Sequence, residues 1–309
     1  MQPFRKHVAI AIDGGGIRGV VVTQALTMLE NALQVPLHRI VGLTAGTSTG
    51  AIIAAGIAAG MTASHLNHLY QTLGSQVFPT TWRKILFPLT RYRYPSAPLE
   101  TFLRAYFGSK KMMDFWQSER PIDVVITAYD LKKRKNLFIK SWKDEYADWE
   151  VVKAVQASCT VPTYFPLIEG RYIDGGVGSY ANPCYLAAYE ASFILQWQPA
   201  ETTLISLGTG REPYRFDPLT AQRYFAWDWI NRMFGVFLHS AEDQQVQLVK
   251  TFFEQLDFRR FQVDMDEPIE MDGVNYMDRL IKYGDMLGSK ILSDRIDPAM
   301  RIVPPKPEE

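Results

Sequence analysis

Residues 39–60, RIVGLTAGTSTGAIIAAGIAAG, leave the backbone little choice. An apolar run ends in Gly46-Thr47-Ser48-Thr49-Gly50 and resumes as a string of small apolar residues. The run reads as a buried strand over 39–45 and the string as a helix from Ala51, which puts G-x-S-x-G on the tight turn between them. The flanking glycines let the chain turn sharply and leave Ser48 exposed at the start of the helix. Ala51, Ala54 and Ala55 let that helix pack close to a sheet. Strand, tight turn and helix in this order belong to a layered α/β architecture.

The rest of the chain repeats that alternation. Apolar runs predict strands over 7–12, 122–130, 136–142, 171–174, 202–207 and 258–264, and helical periodicity covers 17–33, 149–157, 221–257 and 276–292. The expected fold is α/β, with a central, mostly parallel sheet flanked by helices on both faces. No repeat or long linker divides the chain, so 1–309 is expected to form one domain with a mainly helical portion over 211–309. Val246, Val249, Phe252, Phe253 and Leu256 are expected to form one apolar stripe there.

A formal net charge of zero supplies no global field for nucleic acid. The two cysteines, Cys159 and Cys184, form no CxxC, which argues against a disulfide framework and a zinc site. The opening MQPFRK has no apolar h-region, and apolar stretches such as 51–61 fall short of the ~20 residues of a membrane span. The expectation is a cytoplasmic protein that uses no metal and no cofactor.

In HVAIAIDGGGIRGVV (7–21), Gly14, Gly16 and Gly19 have dinucleotide-binding spacing. The context opposes that reading. No carboxylate ends the second strand where a ribose needs one, and Asp13 stands where a pyrophosphate would lie. With Ser48 read as the nucleophile of a G-x-S-x-G elbow, the glycine turn has another use. Backbone N–H groups of Gly14, Gly15 and Gly16 at a helix N-terminus suit an oxyanion hole.

A nucleophilic serine also needs a base. Ser48, Asp174 and His239 follow the chain order of an α/β-hydrolase triad, but the spacing around His239 predicts a helix rather than a catalytic loop, and the elbow comes early. The stronger candidate is Asp174 in IDGGV, a carboxylate at the end of a strand. At these residues the chain resembles the patatin-like phospholipases: DGGGIRG matches their oxyanion loop, GTSTG their nucleophile elbow and DGG their catalytic aspartate. ASCTVPTYFP (157–166), SYANPCYLAAYEA (179–191) and ISLGTG (205–210) also look like family segments.

The resemblance spans roughly 7–210 and implies a patatin-like three-layer sandwich and a lipid acyl hydrolase. Ser48 would attack a phospholipid ester carbonyl, Asp174 would take its proton, and an acyl-serine would be cleared by water. Lysophospholipase, triacylglycerol lipase and transacylase chemistry use the same dyad, and a weakly active membrane-binding or regulatory module is the alternative outside catalysis. Arg18 holds the family's basic position, with three readings: support of the oxyanion loop, attraction of a phosphorylated head group, or a structural ion pair. Asp13 is expected to tie down the glycine turn by local hydrogen bonds.

Two stretches bear on partners. WRKILFPLTRYRY (82–94) mixes Arg83, Lys84, Arg91 and Arg93 with aromatic residues and contains no acid. It suits a peripheral contact with an anionic membrane, and equally a cationic surface loop. YFAWDWINRMFGVFL (224–238) is apolar nearly all round and reads as core, lid or subunit contact, so oligomerisation stays open.

Overall fold

Along β1 (His7–Ile12), Val8, Ile10 and Ile12 join one hydrophobic core while Ala9 and Ala11 join a second. A strand buried on both faces must lie inside a sheet covered by helices on either side. In this computed structural model, which describes residues 1–79, 82–87, 89–213, 221–225 and 240–297, that is its place. β1 pairs in parallel with β2 (Leu43–Thr47) on one side and β6 (Thr202–Leu207) on the other. Outward from these, β2 pairs in parallel with β3 (Asp123–Asp130), and β6 with β7 (Asp257–Phe261). The antiparallel β4 (Lys135–Lys140) completes the order β4-β3-β2-β1-β6-β7. A short strand, β5 (Tyr172–Asp174), lies off this path and pairs antiparallel with β3.

The first layer contains α1 (Gly19–Leu33), α2 (Thr49–Ala58), α3 (Ala63–Val77) and the helices Ser96–Phe107, Val151–Cys159 and Met277–Leu292. The second contains the helix Cys184–Tyr189 and the helical residues 240–252. Ala9, Ala11 and Ala45 face this layer, and their small size lets Ala187 and Ala188 come close.

Several boundaries differ from the sequence reading, two of them with consequences for packing. β2 begins at Leu43 rather than residue 39, because Glu30 Oε1 accepts the Leu37 N–H at 2.7 Å and a 3-10 turn forms over Leu37–Arg39. The helix after residue 240 ends at 252 instead of 257. Val246, Val249, Phe253 and Leu256 are buried, whereas Phe252 points to solvent, so the expected stripe loses one member. His239 and residues 226–238 of the apolar stretch lie outside the described residues. Among the described residues no helix is long and apolar enough to cross a membrane.

Candidate active site

The register of β3 brings Ser48 and Asp174 together. β2 leaves the edge of β3 at the pair Thr47–Thr127. β5 takes up that edge at the adjacent pair, Asp174–Ala128. The residue after β2 and the last residue of β5 thus converge at one point. The Thr47 and Thr127 hydroxyls lie 2.7 Å apart and fix the junction, and Thr47 also donates to the Tyr180 carbonyl at 2.5 Å.

Ser48 has φ 55° and ψ −123°, a region that costs a non-glycine residue about 1–3 kcal/mol. The surroundings hold it there. Its N–H donates to Ser158 Oγ at 2.7 Å, and its carbonyl accepts from Ala51 N at 2.9 Å. A Cβ at Gly46 would meet the Gly50 carbonyl oxygen at 2.2 Å, and one at Gly50 would meet the Ile12 oxygen at the same distance. Both flanking glycines are therefore required by close backbone approach.

Asp174 is buried beside this turn. Oδ1 accepts the Gly176 N–H at 2.7 Å, while Oδ2 is buried with no hydrogen-bond partner of its own. Burial raises the carboxyl to a pKa of about 6, against the lowering effect of the nearby Ser48 hydroxyl and the Gly176 amide. A carboxyl held in that range is a competent proton acceptor near neutral pH.

The glycine loop crosses the ends of β1 and β6, where the chain order of the sheet reverses, the usual place for a site in an open α/β sheet. Gly14 packs against Ser48, with its ideal Cβ position 3.3 Å from that of the serine. Its N–H, however, donates to the Ala181 carbonyl at 2.9 Å, so it is not available as the expected oxyanion donor. Thr209 Oγ1 donates to the Gly14 carbonyl at 2.7 Å. Arg18 Nε donates to the Gly15 carbonyl at 3.3 Å, as does its backbone N–H at 3.2 Å. In a trans peptide the N–H points opposite to the C=O. Anchoring these two carbonyls therefore turns the N–H groups of Gly15 and Gly16 the other way. Neither amide donates to any group among the described residues.

Arg18 also pairs with Glu212 at 2.5 Å. Asp13 forms no local cap of the turn. It makes a buried bidentate pair with Arg260 of β7, at 2.8 and 2.5 Å, and Arg260 Nη1 also donates to Ser206 Oγ at 2.9 Å. Burial pushes the Asp13 carboxyl up, and Arg260 opposes that shift. Thr209, Ser158 and Arg260 were not singled out by the sequence reading. Thr209 and Ser158 lie in the family-like segments ISLGTG and ASCTVPTYFP, whereas Arg260 carries no local signal.

Two cavities meet at Ser48. One is apolar, lined by Ile52, Leu73, Val77, Phe78, Leu99 and Phe165 together with Gly16. The other is lined by Gly14, Gly15, Arg18, Asp174, Gly176 and Glu242. Burial holds the Glu242 carboxyl above its ordinary range, opposed by Arg260, Arg18 and Arg211. Among the described residues no cluster of His, Cys, Asp or Glu is placed to hold a metal ion.

One family model matches more than half of the chain. The patatin-like phospholipase profile matches residues 10–188, a stretch that contains the glycine loop, Ser48 and Asp174. The chain is 31% identical over 222 residues to an intracellular phospholipase A2 of Caenorhabditis elegans, covering 66% of this chain and 19% of that protein. It is 27% identical over 212 residues to the cGAMP-activated phospholipase of Pseudomonas aeruginosa, covering 66% and 62%. The crystal structure of VipD from Legionella pneumophila superposes with a TM-score of 0.49 at 12% identity, over 94% of this chain and 67% of that one.

Proposed function

Because the chain belongs to the patatin-like phospholipase family, we propose that it is a lipid acyl hydrolase working through a Ser48–Asp174 dyad. The observation that carries this reading is the unpartnered, buried Asp174 Oδ2 beside a serine in a strained turn, at the meeting point of an apolar and a polar cavity.

The acyl chain of the substrate lies in the cavity walled by Ile52, Leu73, Val77, Phe78, Leu99 and Phe165. Its ester carbonyl rests at Ser48, and the alcohol portion extends past Arg18 and Glu242. As Ser48 Oγ attacks the carbonyl carbon, its proton passes to Asp174 Oδ2. The carbonyl oxygen becomes an oxyanion, and the Gly15 and Gly16 N–H groups, held by Thr209 and Arg18, donate to it. The intermediate collapses, the C–O bond to the alcohol breaks, and the Asp174 proton goes to the departing oxygen. Water, deprotonated by the same carboxylate, then attacks the acyl-Ser48 carbonyl. The second collapse releases the fatty acid and restores the serine hydroxyl. Acyl-serine chemistry of this kind needs no histidine if the carboxylate is tuned upward, as burial tunes Asp174.

The deciding comparison is wild type against Ser48→Ala on mixed phospholipid vesicles, with products identified by mass spectrometry. Fatty acid released by wild type alone supports the proposal, and the lyso-product reveals which ester bond is cut. Equal release by both proteins would overturn it.

A further inference from the structure

The residues Trp82–Ile85 form one helical turn. With the residues that follow, the turn presents four large apolar side chains to solvent: Trp82 is 59% exposed, Ile85 72%, Leu86 48% and Leu89 88%. Concentrated apolar exposure on so short a segment marks an interaction surface.

The cations of the segment divide into two groups. Lys84 and Arg93 turn inward to Asp272, at 3.0 and 3.6 Å, and Arg93 also pairs with Glu270 at 3.2 Å. Tyr94 donates to Asp272 at 2.6 Å. Arg83 instead lies over the Trp82 and Tyr92 rings, 4.7 Å from each centroid, and Arg91 is exposed. Neither has a carboxylate partner among the described residues, and the sequence over 82–94 contains no acid. The segment is tied down beneath by ion pairs, while its outer side offers apolar side chains and uncompensated positive charge.

That surface adjoins the apolar cavity. The Arg93 and Tyr94 N–H groups donate to the Thr163 and Tyr164 carbonyls at 2.9 and 2.8 Å. The Arg93 guanidinium lies over the rings of Phe87 and Tyr164, and Tyr94 packs against Phe78 and Phe165. Phe78, Tyr164 and Phe165 in turn line the cavity that ends at Ser48. Arg93 and Tyr94, a few residues beyond the exposed side chains, thus pack directly on the wall of the space assigned to the acyl chain.

We propose that Trp82, Ile85, Leu86 and Leu89 insert into the surface of an anionic lipid bilayer, with Arg83 and Arg91 against its phosphates, so that the acyl cavity is placed next to the lipid. The occupant follows from charge complementarity and from the continuity of the patch with that cavity. The proposal rests on the reading of the site as a lipid acyl hydrolase.

The test separates docking from chemistry. In a Ser48→Ala background, vesicle sedimentation would compare phosphatidylcholine with phosphatidylcholine containing phosphatidylglycerol. Ile85→Ser with Leu89→Ser should weaken binding about tenfold or more, since each removes a large apolar side chain from the lipid. Arg83→Glu with Arg91→Glu should weaken it about tenfold or more on anionic vesicles only. Phe193→Ser, at a residue 62% exposed in the other layer, should change nothing. Both native cysteines are buried, so Leu89→Cys can be labelled with an environment-sensitive dye, which should shift to the blue on anionic vesicles. Binding that ignores the segment variants, as for a surface meant for a protein partner, would overturn the proposal, and so would a dye that stays in water. Hydrolysis of a short, monomeric ester by the segment variants, with Ser48 intact, should equal that of wild type. Loss of vesicle binding in a protein without Ser48-dependent hydrolysis would count against the catalytic reading and leave docking standing.

Discussion

Thr209, at the end of β6, donates to the carbonyl of Gly14, at the end of β1, at 2.7 Å. This contact fixes the plane of the Gly14–Gly15 peptide and so the direction of the Gly15 N–H. Thr209→Val keeps the shape and removes the donor. It should lower kcat about tenfold to a hundredfold with little change in KM, because the loss is felt when the oxyanion forms. Thr209→Ser should restore most of the rate. Steady-state kinetics on a soluble ester checks both.

With Asp174 as the proposed base, its raised pKa should set the acid limb of the rate profile. Only the ionised carboxylate can take the Ser48 proton, so kcat/KM should fall about tenfold per pH unit below about 6 and level off above it. Asp174→Asn should lower kcat about a thousandfold or more and abolish that limb. A pH–rate profile on an uncharged ester would reveal the difference.

The same shift has a cost in stability. Burial raises the folded-state pKa of Asp174 above the ordinary carboxyl value of 3.8, so the stability linked to its protonation is fully present below about pH 3.8 and is lost as the pH rises through about 6. Asp174→Asn carries no charge to bury. The stability of this variant relative to wild type should rise with pH across that window by about 3 kcal/mol. Urea denaturation of the two proteins at matched pH values measures it. A difference that stays flat with pH would contradict the environment described for Asp174.

Asp13 and Arg260 form a buried pair whose charges have few other partners. Removing one partner leaves the other uncompensated. Arg260→Met alone should therefore destabilise the fold by about 3–5 kcal/mol, whereas Arg260→Met combined with Asp13→Leu should recover much of that loss. Chemical denaturation of the single and double variants tests the coupling.

The apolar cavity should set chain length. Leu99→Trp adds bulk to its wall and should shift preference toward shorter acyl esters by about tenfold in kcat/KM ratio, the scale of discrimination a few methylenes provide. A series of nitrophenyl esters of increasing length reads this directly.

The residues of the site were most legible where chemistry compels a local pattern. Gly46 and Gly50 are needed because the backbone of a nucleophile turn leaves no room for a Cβ, and Asp174 announces itself by ending a short strand at two glycines. The alternation of apolar runs with helical periods along the chain likewise implied helices on both faces of a sheet. What the sequence reading missed depends on register between distant segments. Nothing around Arg260 indicates that β7 will place it under Asp13, and nothing around Gly14 indicates that Ala181 will accept its amide. The start of β2 was misjudged for a similar reason: a side chain from α1, Glu30, captures the Leu37 amide and creates a turn within an apolar run.

The anchoring of the glycine loop has a consequence for the order in which the enzyme matures. Ser48 and Asp174 belong to the segment synthesised before β6, but Thr209 and Arg260, which hold the loop from the side and from below, come after it. A chain still being translated can therefore hold Ser48 and Asp174 while the Gly14 carbonyl lacks its Thr209 donor and Asp13 lacks its Arg260 partner. On the proposed reading, full hydrolytic power would arrive only with the later part of the chain, once β6 and β7 have joined the sheet.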